Sequence, residues 1–171
     1  MKAVVSVIAL LATAALADVE LTRNVDSLGD GVSIKAVLDS GCTGSDAYGS
    51  NNCALAWGSS TNATITGNLP KDLTAKSQLS LDLKVSLVPL KATCAICGSD
   101  CELTVPIVKI PVSIKLPPCP IKGGPLDMVK TITLGAKSPI PIKLKLSGKA
   151  TLNDDDGAEV VTLDVSGSVG P

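Results

Sequence analysis

The chain has 171 residues, with 15 Lys and Arg against 16 Asp and Glu, and so little net charge gives no field for steering nucleic acid. It contains no histidine, which removes Ser-His-Asp and Cys-His nucleophile systems, His-ligated metals and the commonest general base. With one Trp, one Tyr and no Phe, it also lacks the aromatic platforms on which nucleobases or sugars stack.

Residues 1–17, MKAVVSVIALLATAALA, carry one lysine, then an apolar run, then Ala15-Leu16-Ala17. That order is the n-region, h-region and small-residue cleavage site of a secretory signal peptide. The run is too short for a bilayer span of ~20 residues. Cleavage before Asp18 leaves residues 18–171 as one domain of 154 residues; without Lys2 there are 14 basic residues against 16 acidic, a net charge of −2.

The first strand signal is Val32, Ile34 and Ala36 alternating with Ser33 and Lys35. A turn cluster at Asp39-Ser-Gly-Cys-Thr-Gly-Ser follows, and Asn62-Ala63-Thr64 forms a glycosylation acceptor that fits an exposed site in a secreted protein. Leu79, Leu81, Leu83, Val85 and Leu87 then alternate with Ser80, Asp82, Lys84 and Ser86. Val108 to Leu116 repeats the pattern against Lys109, Pro111, Ser113 and Lys115, and Ile140, Ile142, Leu144 and Leu146 repeat it against Pro141, Lys143 and Lys145. Val161, Leu163 and Val165 close the series. Period-two alternation puts one face of each strand on a core and the other in water. Many short strands with Gly, Pro, Asn and Asp between them, and no helix signal after the leader, predict an all-β antiparallel sandwich or barrel.

Two clusters invite a chemical reading. Asp154-Asp155-Asp156-Gly157 lies between two alternating segments and reads as a hairpin turn, since Asp-Gly tolerates positive φ. Three contiguous aspartates do not give the alternating ligands of a calcium loop. Lysines 84, 109, 115, 143 and 145 fall on the polar phase and read as solvated outer-face residues that keep sheet edges soluble; the alternative for a minority of them is a ring at a pocket mouth that meets an anionic head group. The six cysteines, Cys42, Cys53, Cys94, Cys97, Cys101 and Cys119, read as three disulfides behind a signal peptide. A zinc site on Cys94, Cys97, Cys101 and Cys119 does not suit an oxidising compartment in a chain without histidine. A redox role for Cys94-Ala-Ile-Cys97 lacks its strand–helix context. No metal, no cofactor and no catalytic residue is expected.

Cys119-Pro-Ile-Lys-Gly-Gly, then Ser138-Pro-Ile-Pro-Ile-Lys-Leu-Lys-Leu and Asn153-Asp-Asp-Asp-Gly-Ala-Glu-Val-Val-Thr-Leu-Asp-Val, resemble the ML lipid-recognition domain family. That family includes the soluble Niemann–Pick type sterol carriers and the group 2 dust-mite allergens. Asp30-Gly-Val-Ser-Ile-Lys-Ala-Val resembles its opening strand, and Cys42 with Cys53-Ala-Leu-Ala-Trp-Gly its short disulfide loop. The family usually ties its opening and closing strands by a further disulfide; here both partners are missing, which implies a looser link between the first and last strands. Cys94, Cys97, Cys101 and Cys119 would form the other two bonds, in an order the sequence leaves open.

The resemblance implies an immunoglobulin-like two-sheet antiparallel β-sandwich with an apolar cavity between the sheets, and no enzymatic activity. The cavity would hold a sterol, a fatty acid or a phospholipid acyl chain, for transport between membranes or presentation to a protein, and the partners would be a membrane touched transiently or a lipid-receptor protein. The setting would be the extracellular space or the endolysosomal lumen. A secreted recognition module without a transport role, such as an immune lipid sensor or a matrix protein, is the alternative. Inward phase in the best alternating strands nominates Leu81, Leu83, Val85, Val112, Ile114, Ile142, Leu144, Leu163 and Val165 as pocket residues; a slip of one residue would exchange the faces.

Overall fold

A computed structural model describes residues 19–114, 116–139 and 141–171, with backbone only for 110 and 112–114. The expected leader lies outside the described residues. Among them there is no helix, and twelve strands follow one another: β1 Val19–Leu28, β2 Ser33–Leu38, β3 Cys42–Asp46, β4 Gly49–Leu55, β5 Ser60–Leu69, β6 Gln78–Val85, β7 Val88–Ala95, β8 Cys101–Val105, β9 Ile110–Ile114, β10 Gly124–Thr133, β11 Leu144–Asn153 and β12 Glu159–Val169.

Ten strands share one hydrogen-bonded sheet in the order β10-β5-β2-β4-β1-β12-β11-β6-β7, with β3 on the side of β4. All its pairings are antiparallel except β2 with β4, a single parallel bridge at Ala36 and Gly49. There the backbones come so close that a Cβ on Gly49, whose φ is 103°, would sit 1.9 Å from the Ala36 carbonyl oxygen. Only glycine fits. This narrow joint divides the sheet into two layers, β10-β5-β2 and β1-β12-β11-β6-β7. They fold onto each other: Leu69 and Leu126 of the first pack with Val160 and Leu152 of the second, around the buried Leu73. The result is an all-β, two-layer sandwich.

The register shows why the layers face as they do. Across the larger layer the row Val25, Leu163, Ala150, Leu81, Ala92 alternates with the row Asn24, Asp164, Lys149, Asp82, Lys91. Directly opposed residues share a face, so one face is aliphatic and the other is charged. In the smaller layer Ile34 and Leu126 flank Gly67, and Ala36 and Met128 flank Ile65 on the inner side, while Lys35, Thr66 and Asp127 form an outer row.

Strands β8 and β9 form a separate hairpin. Its tip packs Val105 and Val108 on a cluster built around Val85 and Leu144, and the Cys94–Cys101 disulfide ties its base to β7. The other bonds are Cys42–Cys53, between residues directly opposed on β3 and β4, and Cys97–Cys119. No cysteine is free.

Four expectations need correction. The opening strand is β1, not the segment from Asp30; Arg23 breaks its aliphatic phase and hides it from a periodicity reading. The first and last strands are not loosely linked, because β1 and β12 pair along their length from Val19 opposite Val169 to Leu28 opposite Val161. The alternation through Leu87 overruns its strand: β6 ends at Val85, and Ser86 and Leu87 turn the chain with φ of 45° and 80°, as a two-residue hairpin linked to the strand twist demands. Finally, Ile142 lies before β11 in a proline-interrupted segment and is 47% exposed.

Candidate functional site

The aliphatic inner faces are packed tightly only at their two ends. At one end Leu69, Leu73 and Val160 are buried with Leu152 and Leu126 against them. At the other, Val85 and Leu144 are buried under Val105, Val108 and Leu146. Between these plugs the inner residues are only partly buried: Val25, Leu81, Ala150, Leu163 and Val165 from the larger layer, Ile34, Ala36, Ile65 and Met128 from the smaller. Leu83 is an exception, at 7% exposure. Native cores fill their interiors to crystal-like density, whereas these inward-pointing aliphatic groups are not sealed by the opposite layer.

Of the residues nominated from sequence, Leu81, Leu83, Leu163 and Val165 stand together in two adjacent inner rows. Val85 and Leu144 belong to the packed end instead. Val112 and Ile114 lie on β9, opposite Leu103 and Cys101, and their side chains lie outside the described residues. Ile142 faces solvent and lines nothing inside. Reading the sequence missed the whole contribution of the smaller layer. The signals were present, in Ala63-Thr-Ile-Thr-Gly67 and Leu126-Asp-Met128, but the small residues and glycine made the alternation faint.

Two charged residues fall on inner rows: Lys130, opposite Ala63 and exposed, and Arg23. Arg23 lies opposite Val165, yet its guanidinium turns to the β3–β4 hairpin, 3.2 Å from Asp46 Oδ1, and donates to the Ser50 carbonyl at 3.0 Å. The charge is thereby held at the rim, where it keeps a partner and adds no unpaired ion to an apolar space.

A second, distinct cleft of about 460 Å³ opens at the first packed end, lined by Leu28, Val32, Leu69 and Leu73 with Lys71, Asp154 and Glu159. Lys71, Asp154 and Glu159 in its wall are held by internal partners. Asp154 Oδ1 accepts from the backbone N–H of Asp156 at 2.8 Å and of Ala158 at 3.0 Å, closing the β11–β12 turn. Lys71 reaches Asp154 at 2.8 Å and Asp156 at 2.7 Å. Asp155 accepts from the Ser77 hydroxyl, and from the Thr74 hydroxyl at 2.6 Å and its N–H at 3.1 Å. The acidic turn is thus a clamp on residues 71–77. The bond from Lys71 holds the Asp154 carboxyl below its ordinary value, those from Ser77 and Thr74 do the same for Asp155, and those from Ser27 and Thr162 for Glu159. The two aspartates in turn hold the Lys71 ammonium above its usual range.

These shifts fix the sign of an acid effect. A carboxylate whose folded pKa is depressed stabilises the fold at all pH above the unfolded value of about 3.9, and that contribution disappears as pH falls through the lower folded value. Stability from this clamp should therefore be constant from neutral pH to about pH 5 and fall below about pH 4. Asp155→Ala should be less stable than the parent at neutral pH, with the gap closing in acid; urea midpoints across that range check it. Equal midpoints at neutral pH would mean the clamp contributes nothing.

Among the described residues no group of three or more His, Cys, Asp or Glu side chains could hold a metal ion. No protein-family profile matches the chain, and no curated protein does. Among solved structures the fold is similar to that of chicken MD-1 in its complex with lipid IVa, at 17% identity over 89% of this chain and 91% of that one, with a TM-score of 0.43. At that score the likeness is a loose one.

Proposed function

We propose that this chain is a non-enzymatic lipid carrier of the extracellular or endolysosomal space. It holds an acyl chain or sterol between its layers. The observation that carries this reading is the partly buried aliphatic band between two packed ends. An apolar molecule placed there gains burial against the chain while the band loses its contact with water, at about 25 cal/mol per Å² of apolar surface covered on either side. The inner rows contain no aromatic ring, so contacts are aliphatic and suit a flexible chain as well as a fused-ring one.

Two further features support a role without catalysis. The carboxylates gathered in the end cleft, Asp154 and Glu159, are both held below their ordinary pKa by internal partners. A carboxyl general acid needs the opposite shift. The three disulfides suit an oxidising compartment and the predicted leader. Purified secreted protein extracted with organic solvent should yield about one equivalent of lipid by mass spectrometry. A clean extract, with no uptake of fatty acids, sterols or phospholipids afterwards, would overturn the carrier reading.

A further inference from the structure

Three chain segments meet at the end of the sandwich plugged by Val85 and Leu144. The β6–β7 turn carries Leu87, 90% exposed, with Val88 beside it at 39%. It is fastened to the start of β11 by the Ser86 N–H donating to the Lys145 carbonyl at 2.8 Å. The β8–β9 turn presents Ile107, 40% exposed, next to Val108, which packs into the same plug. The segment entering β11 presents Ile142, 47% exposed. Solvent-facing Leu and Ile at three adjoining tips are costly in a soluble chain unless something covers them.

The charges around these tips say what covers them. Lys84 and Lys145 stand on the outer face just behind the β6–β7 turn, Lys109 follows Ile107 and Val108, and Lys143 follows Ile142; all four are exposed. Among the described residues Lys84, Lys109 and Lys145 form no ion pair, and only Lys143 has a carboxylate, Glu20 at 3.4 Å. At the opposite end, by contrast, lysines have carboxylate partners: Lys71 pairs with Asp154 and Asp156, and Lys122 with Asp72. The apolar tips thus stand inside a collar of lysines, three of them without a carboxylate partner among the described residues. Such an end matches a bilayer whose surface is anionic: the tips enter the acyl boundary and the lysines meet the phosphates.

We infer that Leu87, Ile107 and Ile142 form a membrane-docking tip for anionic bilayers, with Lys84, Lys109 and Lys145 as its electrostatic collar. The proposed carrier role gives docking its purpose, since a carrier must meet the membrane it loads from, but the docking itself needs no ligand.

Cosedimentation with vesicles of phosphatidylserine and phosphatidylcholine, against phosphatidylcholine alone, tests it. The parent should bind the anionic vesicles and lose them as salt rises. Leu87→Glu with Ile142→Glu should weaken partitioning at least about tenfold. Lys84→Gln with Lys145→Gln should weaken it by roughly twenty-fivefold on anionic vesicles, at about fivefold per lysine, and leave neutral vesicles unaffected. These residues are exposed, so unfolding midpoints should stay with the parent. If the glutamate variant fails to fold, the glutamine variant still decides. Equal binding to neutral and anionic vesicles, or parent-like binding by both variants, would overturn the proposal. Uptake of free fatty acid from solution, measured on the same proteins, separates this from the interior: docking without uptake sinks the carrier reading alone, and uptake without docking sinks the tip alone.

Discussion

Leu144→Ala should destabilise the lipid-free protein by about 2–5 kcal/mol, while Leu163→Ala should cost less than about 1.5 kcal/mol, although both are inner-face leucines on neighbouring strands. The difference follows from packing. Leu144 is 2% exposed in the plug with Val85, Leu146 and Val169, so truncation leaves a void that its neighbours fill only in part. Leu163 borders space already accessible, and truncation widens it without breaking a dense contact set. Ligand affinity should respond in the opposite order: Leu163→Ala should bind an acyl chain roughly fivefold more weakly, and Leu144→Ala near the parent value, because only Leu163 lines the proposed ligand site. Urea denaturation and ligand titration of both variants check this. Equal destabilisation by the two would mean the central band is as densely packed as the ends.

Loss of the Cys97–Cys119 bond has the next largest expected effect. It spans 22 residues, against 11 for Cys42–Cys53 and 7 for Cys94–Cys101, and a longer closed loop restrains the unfolded chain more. On loop length alone Cys97→Ala with Cys119→Ala should cost about 3.5 kcal/mol, and Cys42→Ala with Cys53→Ala slightly under 3 kcal/mol. The structure widens the gap. Cys97 is 1% exposed, and Cys119 leads into the short bridge between Leu73 and Ile121, which packs the first plug. Cys42 and Cys53 sit on a peripheral hairpin whose ladder persists without them. Midpoints of the two double variants under oxidising conditions decide the order; a larger loss from the 42–53 pair would contradict it.

Much of the fold can be read from alternation because it reports which face of a strand is dry. Strands β2, β6 and β12 follow from it directly, as does the turn at Asp154-Asp155-Asp156-Gly157. Alternation cannot report where a strand stops when the turn residue itself is apolar: Leu87 keeps the period while the backbone reverses. Nor does it survive a charged side chain that leaves its row sideways, which is why Arg23 conceals β1. Ile142 misleads in a third way, since the flanking prolines remove the N–H groups a ladder needs while the apolar phase persists. The clamp from the acidic turn to Lys71, Thr74 and Ser77 spans about eighty residues of sequence and leaves no local signal. The paired cysteines 94–101 and 97–119 likewise depend on where β8 is brought back to β7, which spacing does not determine.

The sharpest measurement is a fluorescence titration of delipidated protein with a conjugated polyene fatty acid, followed by its displacement with unlabelled fatty acid or sterol. A hollow aliphatic band between the layers predicts saturable uptake of about one molecule per chain, blocked by Leu163→Trp, whose added bulk fills the centre while leaving both plugs intact. No saturable uptake by the folded parent, or uptake untouched by Leu163→Trp, would contradict a ligand site between the layers.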